Sequence, residues 1–163
     1  MSTERKFGLI DCLETGYSRV EKLIAGIGPE ELQFVPPIPD AWSTNDFLVH
    51  FLDADLSLAF RIRTAIAEPG KAVPVWEEED WHDTLHYGGE DGLRSLELAK
   101  GIRAFVAKGL RSLIDDDWLG YFISHPVKGN MNIAALVEMY DQHVIFHCPL
   151  IKRNRLEWQK QAG

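Results

Sequence analysis

His50, His143 and His147 fall at positions where a buried helical stripe would ordinarily carry an aliphatic side chain. An α-helix advances about 100° per residue, so His143 and His147, one turn apart, project from the same face. If His50 meets them from a neighbouring helix, three imidazole nitrogens converge on a divalent ion and leave coordination positions open. That is the ligand set of a catalytic zinc or a similar metal. Leaving a buried ring nitrogen unpaired costs on the order of 1–3 kcal/mol. A shared cation takes one nitrogen from each ring and frees the other to donate to a carbonyl, a carboxylate or water. One such histidine alone reads as a hydrogen-bonded core residue; the pair with a third partner points to a metal.

Long amphipathic helices are the elements that can position these rings. Phe7, Ile10, Leu13, Tyr17, Val20, Ile24 and Ile27 recur at spacings of three and four, predicting a first helix over 4–27 that Gly28 and Pro29 end. A single turn is expected at 30–34, and the prolines of Val35-Pro36-Pro37-Ile38-Pro39 forbid more. Ser43 as a cap and Asp46 in the first turn begin a second helix over 44–68, with a stripe of Phe47, Phe51, Ala54, Leu58, Ile62 and Ala65 that includes His50. Pro69-Gly70 stops it, and a long connection comes next, holding Trp76, the acidic run Glu77 to Asp80, Trp81, His82, His86 and Tyr87. A third helix is expected over 90–114 on Leu93, Leu96, Leu98, Ile102, Phe105, Val106, Leu110 and Leu113. After a connection broken by His125-Pro126 and Gly129, Asn132 caps a fourth helix over 133–158, which carries His143 and His147 among Ile133, Leu136, Tyr140, Leu150 and Ile151. No β alternation and no repeat is visible, so the pattern predicts an all-α fold, an antiparallel four-helix bundle.

The chain's 163 residues, 45% of them hydrophobic, suit one domain spanning 1–163 with a continuous core. A net charge of −8 without any cluster of Lys and Arg argues against nucleic acid as a partner. The N-terminus is polar, and Asp11, Glu14 and Arg19 interrupt the first apolar pattern, unlike a signal peptide. No run approaches the roughly 20 apolar residues that cross a bilayer, so no membrane role is expected and the chain reads as cytoplasmic. Cys12 and Cys148 are distant in sequence and read as reduced, mostly buried thiols.

Other polar residues compete for chemistry. Asp53, one turn after His50, could orient that ring or act as a base, or simply face solvent. Asp46 reads as a helix-start residue, and Asp141 points away from His143. His82 and His86 repeat the one-turn spacing, but in a polar, acidic connection, where a solvated or interface role or a lid is expected. His125, before a proline, reads as an extended structural residue. Glu77 to Asp80 read as a solvated segment that could screen the site against anions.

In order along the chain, Trp42-Ser43 followed by His50 and Asp53, then His125-Pro126, Gly129 and Asn132, then Tyr140-Asp141-Gln142-His143-Val144-Ile145-Phe146-His147 resemble the DinB-like (DinB/YfiT-like) four-helix bundle family. The resemblance implies a divalent-metal binder, nickel or zinc, with His50, His143 and His147 as ligands. Many relatives carry a further histidine just before the last one, where this chain has Phe146; that position is not a required ligand. Some branches of the family resemble thiol transferases using low-molecular-weight thiols such as bacillithiol or mycothiol, and others have hydrolase-like activities.

The expected function is therefore a metal-dependent enzyme of small molecules, a thiol S-transferase ahead of a hydrolase. The opposing class is a non-catalytic bundle in which metal pins the helices, or in which the acidic, aromatic connection binds a protein. Exposed Trp76 and Trp81 would allow a homodimer.

Overall fold

The computed structural model describes residues 1–161; positions 162 and 163 of the expected domain lie outside the described residues. Among the described residues, seven α-helices occur in the order α1 (Thr3–Thr15), α2 (Ser18–Ile24), α3 (Pro29–Gln33), α4 (Thr44–Ala67), α5 (Glu78–Leu85), α6 (Gly92–Arg111) and α7 (Ile133–Gln161), with a 3-10 turn (Tyr87–Gly89) before α6 and a β-hairpin, β1 (Phe122–His125) and β2 (Gly129–Asn132), before α7. The α1–α2 pair, α4, α6 and α7 form the expected four-helix bundle. No helix among the described residues is long and apolar enough to cross a membrane.

The expected first helix is two segments. At Gly16 a Cβ would sit 2.7 Å from the Cys12 carbonyl oxygen and 2.9 Å from the Arg103 guanidinium. The chain therefore needs glycine where it passes a buried cation, and the helix breaks there before resuming at Ser18. Gly28 and Pro29 do not end that helix; they start α3, with Pro29 in its first turn.

The start of α4 is the one expected. The Ser43 hydroxyl accepts from Asp46 N at 3.1 Å, and the Asp46 carboxylate accepts from Ser43 N at 2.9 Å, a reciprocal capping box. Asn45 then ties α4 to the segment that leads into α6: its amide donates to the Tyr87 and Glu90 carbonyls, and its oxygen accepts from Gly92 N at 2.9 Å. Asn132 caps α7 through Ala135 N, as its position predicts.

On α6 the expected stripe is misphased. Leu93, Leu98 and Phe105 are exposed, while Leu96, Ala99, Arg103, Val106, Ala107 and Leu110 are buried. Apolar residues surround this helix, and the inward face is the one with small residues and a buried arginine. Phe7 is likewise exposed, and its neighbour Lys6 is buried, donating to the Ile114 and Asp116 carbonyls just beyond α6. Both cysteines are only half-buried.

The hairpin was not expected. Its strands pair antiparallel from Phe122 with Asn132 to His125 with Gly129, and Gly129 turns the chain at φ +70°. Strands of four residues are too short for alternation to register. β1 also holds the chain leaving α4: Gly70 N donates to Phe122 O at 2.7 Å, and Ser124 N to Lys71 O at 2.9 Å. His125 is extended as expected and mostly buried, its Nδ1 accepting from the Val127 and Lys128 amides.

The buried apolar residues form two clusters. One gathers Leu13, Leu58, Ile62, Leu110, Leu136 and Tyr140 with their neighbours, and the other gathers Tyr17, Phe47, Phe51, Leu96, Val144 and Ile151. A buried polar group links them. Asp55 accepts from Tyr17 Oη at 2.7 Å and from Arg103 Nε at 2.8 Å, and Arg103 Nη2 donates to the Tyr140 carbonyl.

Candidate metal centre

The capped first turn of α4 fixes the register that turns His50 inward, fully buried; α7 presents His143 and His147 one turn apart on the facing side. His143 Nε2 lies 2.8 Å from His50 Nε2 and 3.0 Å from His147 Nε2. A fourth donor joins them. Glu78, on α5, places Oε2 3.2 Å from His50 Nε2, and the four donor atoms all lie within 4.8 Å of one another.

Hydrogen bonding alone cannot satisfy this arrangement. A neutral ring nitrogen carries either one hydrogen or one lone pair, so His143 Nε2 can serve only one of the two nitrogens aimed at it. A cation can serve all three. Metal–nitrogen bonds of ~2.0–2.1 Å with angles between 90° and tetrahedral put ligand nitrogens ~2.9–3.4 Å apart, close to the spacings found. The rings are also in the protonation state a metal requires. Burial first, then the neighbouring imidazoles, pushes His50 down to about 2; burial and His147 push His143 to about 3; burial pushes His147 to about 4.

The Nδ1 atoms of all three rings have no hydrogen-bond partner among the described residues. Packing therefore orients the rings. Trp42 meets His50 edge-on at 5.3 Å and Trp76 lies 5.5 Å from it, while Phe47 and Phe51 flank His147 at 5.2 and 5.8 Å.

The three sequence-predicted ligands thus come together, and Asp53 does not join them. Its carboxylate accepts from the buried Tyr87 hydroxyl, so it fastens the segment after α5 to α4 instead of touching His50. Burial raises its pKa. His82 lies near the rim: its ring stacks on Trp42 at 4.5 Å and 9°, with Nε2 3.6 Å from Asp46. His86 has a different task, closing α5 in the left-handed conformation at φ +56°. Asp46 is the capping residue its position predicts, and Asp141 pairs with Arg19 at 3.6 Å, away from the site. Trp76, expected at an exposed interface, is half-buried against His50 and Trp81.

Glu78 is the residue that sequence reasoning missed. It lies within the acidic run Glu77 to Asp80, where composition marks no member as special. Only the short helix α5 selects it. Its pKa is raised, by burial first and then by Glu79 and Glu77.

A helical bundle with three inward imidazoles from its second and last long helices, supplemented by a carboxylate, is the class of protein that fold and site define. The sequence profile of the DinB superfamily matches residues 13–151, and the chain belongs to that superfamily. It is 23% identical over 143 residues to a protein of Oceanobacillus iheyensis named "Putative metal-dependent hydrolase OB0413", covering 86% of this chain and 79% of that one. A Geobacillus kaustophilus protein with the same description, GK0616, is 24% identical over 143 residues, covering 86% and 80%. A second Oceanobacillus relative, OB0782, aligns over 106 residues at 24% identity, covering 65% of this chain and 60% of its own length. Among solved structures, YfiT from Bacillus subtilis, described as a probable metal-dependent hydrolase with an unusual four-helix bundle topology, superposes with a TM-score of 0.84 at 19% identity, covering 98% of this chain and 90% of YfiT. That likeness is one of fold.

Proposed function

We propose that this chain is a metal-dependent hydrolase of a small molecule, with His50, His143 and His147 holding a divalent ion, zinc or nickel, and Glu78 beside them as the proton acceptor. The observation that carries this reading is the convergence of three neutral imidazole nitrogens with one carboxylate oxygen 3.2 Å from the nearest of them. A divalent ion held there supplies Lewis acidity, polarising a carbonyl and making water nucleophilic near neutral pH. The three rings keep their lone pairs free for it. Glu78 Oε2, 3.2 Å from His50 Nε2, is placed to take a proton from attacking water and return it to the leaving group. Trp42 and Trp76 wall off the flank of His50 from solvent.

A thiol S-transferase would use the same imidazoles to favour a thiolate. The proton leaving the thiol would need an acceptor just as the proton leaving water does, so Glu78 serves either nucleophile, and the hydrolase is preferred because the relatives OB0413 and GK0616 carry that description. Elemental analysis of the native protein and of a His143→Ala, His147→Ala variant tests the site: one equivalent of zinc or nickel in the first and none in the second is expected, and equal contents would refute it. After reconstitution, ester and amide panels should show turnover. Turnover only with small thiols and a chromogenic electrophile would move the assignment to the transferase.

A further inference from the structure

A cavity of about 160 Å³ opens beside the imidazoles, lined by Ala54, Arg61, Trp76, Glu78, Tyr140 and His143 among others. Its unusual component is Arg61, which is only 5% exposed. The guanidinium donates from Nη1 to the Tyr140 hydroxyl at 3.0 Å and from Nη2 to the Pro74 carbonyl at 3.1 Å. Both partners are neutral, and among the described residues Arg61 forms no ion pair. The other arginine buried in this bundle, Arg103, has its carboxylate in Asp55 at 2.8 Å. A cation withdrawn from water without a counter-charge is costly, and arginine stays charged at any physiological pH. Five N–H donors in a fixed fork leave room for a further acceptor.

Helix geometry aims this charge at the site. Arg61 follows His50 by eleven residues, which returns to within about 20° of the same helix face, and helical side chains lean toward the N-terminus. The guanidinium therefore reaches back along α4 toward His50, and its Tyr140 contact lies one turn from His143 on α7. Glu78 is the carboxylate in the same cavity, but its Oε2 is turned to His50.

We infer that Arg61 is the anchor for an anionic group of the substrate, so that the molecule processed here carries a carboxylate or comparable anion several bonds from the group that meets the imidazoles. This rests on the metal-dependent reading above and names its substrate class. The acidic surface does not oppose it, because the anion is read inside the cavity by a buried cation.

The test uses the zinc-loaded full chain and the monohydroxamates of malonate, succinate, glutarate and adipate, each compared with the methyl-terminated hydroxamate of equal length. At least one carboxylate-bearing probe should bind about tenfold or more tightly than its neutral counterpart, as a charge-assisted bond to guanidinium requires. The preference should vanish in Arg61→Gln and return in part in Arg61→Lys, with zinc content and affinity for the neutral probes unchanged. A ratio near one at every length in native protein holding a full equivalent of zinc overturns the anion anchor and leaves the metal site standing. If no zinc is bound, the metal reading fails, and propionate against propionamide on the metal-free protein decides the anchor: equal binding overturns it, and a propionate preference abolished in Arg61→Gln supports it.

Discussion

On the proposed reading, Glu78 and the three imidazoles divide the work in a way that substitutions can separate. Glu78→Gln keeps the size of the side chain and removes its basicity, so turnover should fall by about 10²–10⁴-fold, while zinc content, read by elemental analysis, stays at the native level. The histidines govern acid sensitivity. Unfolded, each imidazole takes a proton below about pH 6.5; folded and metal-free, the three resist protonation down to about 4, 3 and 2. The unfolded chain therefore binds more protons in that window, and stability is lost as pH falls. In the metal-free protein the three imidazoles should contribute no pH dependence above about 6.5 and up to about 1.4 kcal/mol of lost stability each per unit below it, a contribution that urea midpoints of native and His143→Ala, His147→Ala protein at pH 7.5, 6 and 5 would reveal. The three histidines were legible because one-turn spacing and an apolar stripe single them out. Glu78 was not, because four consecutive acids offer no periodicity from which to choose one.

Among the elements, α4 contributes most to the geometry, since its first turn sets the register of His50 and its length carries Arg61 back along the same face. Removing the hydroxyl in Ser43→Ala should cost about 1 kcal/mol, lowering the melting temperature of a chain this size by about 2–4 °C, with a small loss of zinc affinity from fraying next to His50. Calorimetry and a zinc titration would read the two effects. The boundaries of α4 and the cap of α7 could be found in advance because Ser43, Asp46, Pro69-Gly70 and Asn132 act through local chemistry. The break in α1–α2 and the inward face of α6 could not. Both depend on Arg103, whose place in the interior is decided by a carboxylate 48 positions away in sequence.

Considered as a whole molecule, the bundle joins two apolar clusters through the buried pair Asp55 and Arg103, and this pair is a point of fragility. Asp55→Ala leaves a desolvated guanidinium without its carboxylate, so unfolding free energy should fall by about 3–5 kcal/mol. Replacing both partners, as in Asp55→Leu with Arg103→Met, should cost much less, since no charge is then stranded. Chemical denaturation of the single and double variants checks the comparison. Helix content and the bundle were readable from apolar periodicity, which records burial. The small hairpin was too short to leave such a record, yet it holds the chain as it leaves α4 towards Trp76 and Glu78.

The three imidazoles and the carboxylate do not share one foundation. Three imidazoles stand on long, packed helices, whereas the carboxylate rides on an eight-residue helix with no buried residue, closed by a left-handed His86. Lifting that short helix would withdraw the proposed proton acceptor and uncover the cavity while leaving the triad in register, so reactants could exchange without loosening the bundle. Amide exchange should then be fast across Glu78–Leu85 and slow around His50 and His147.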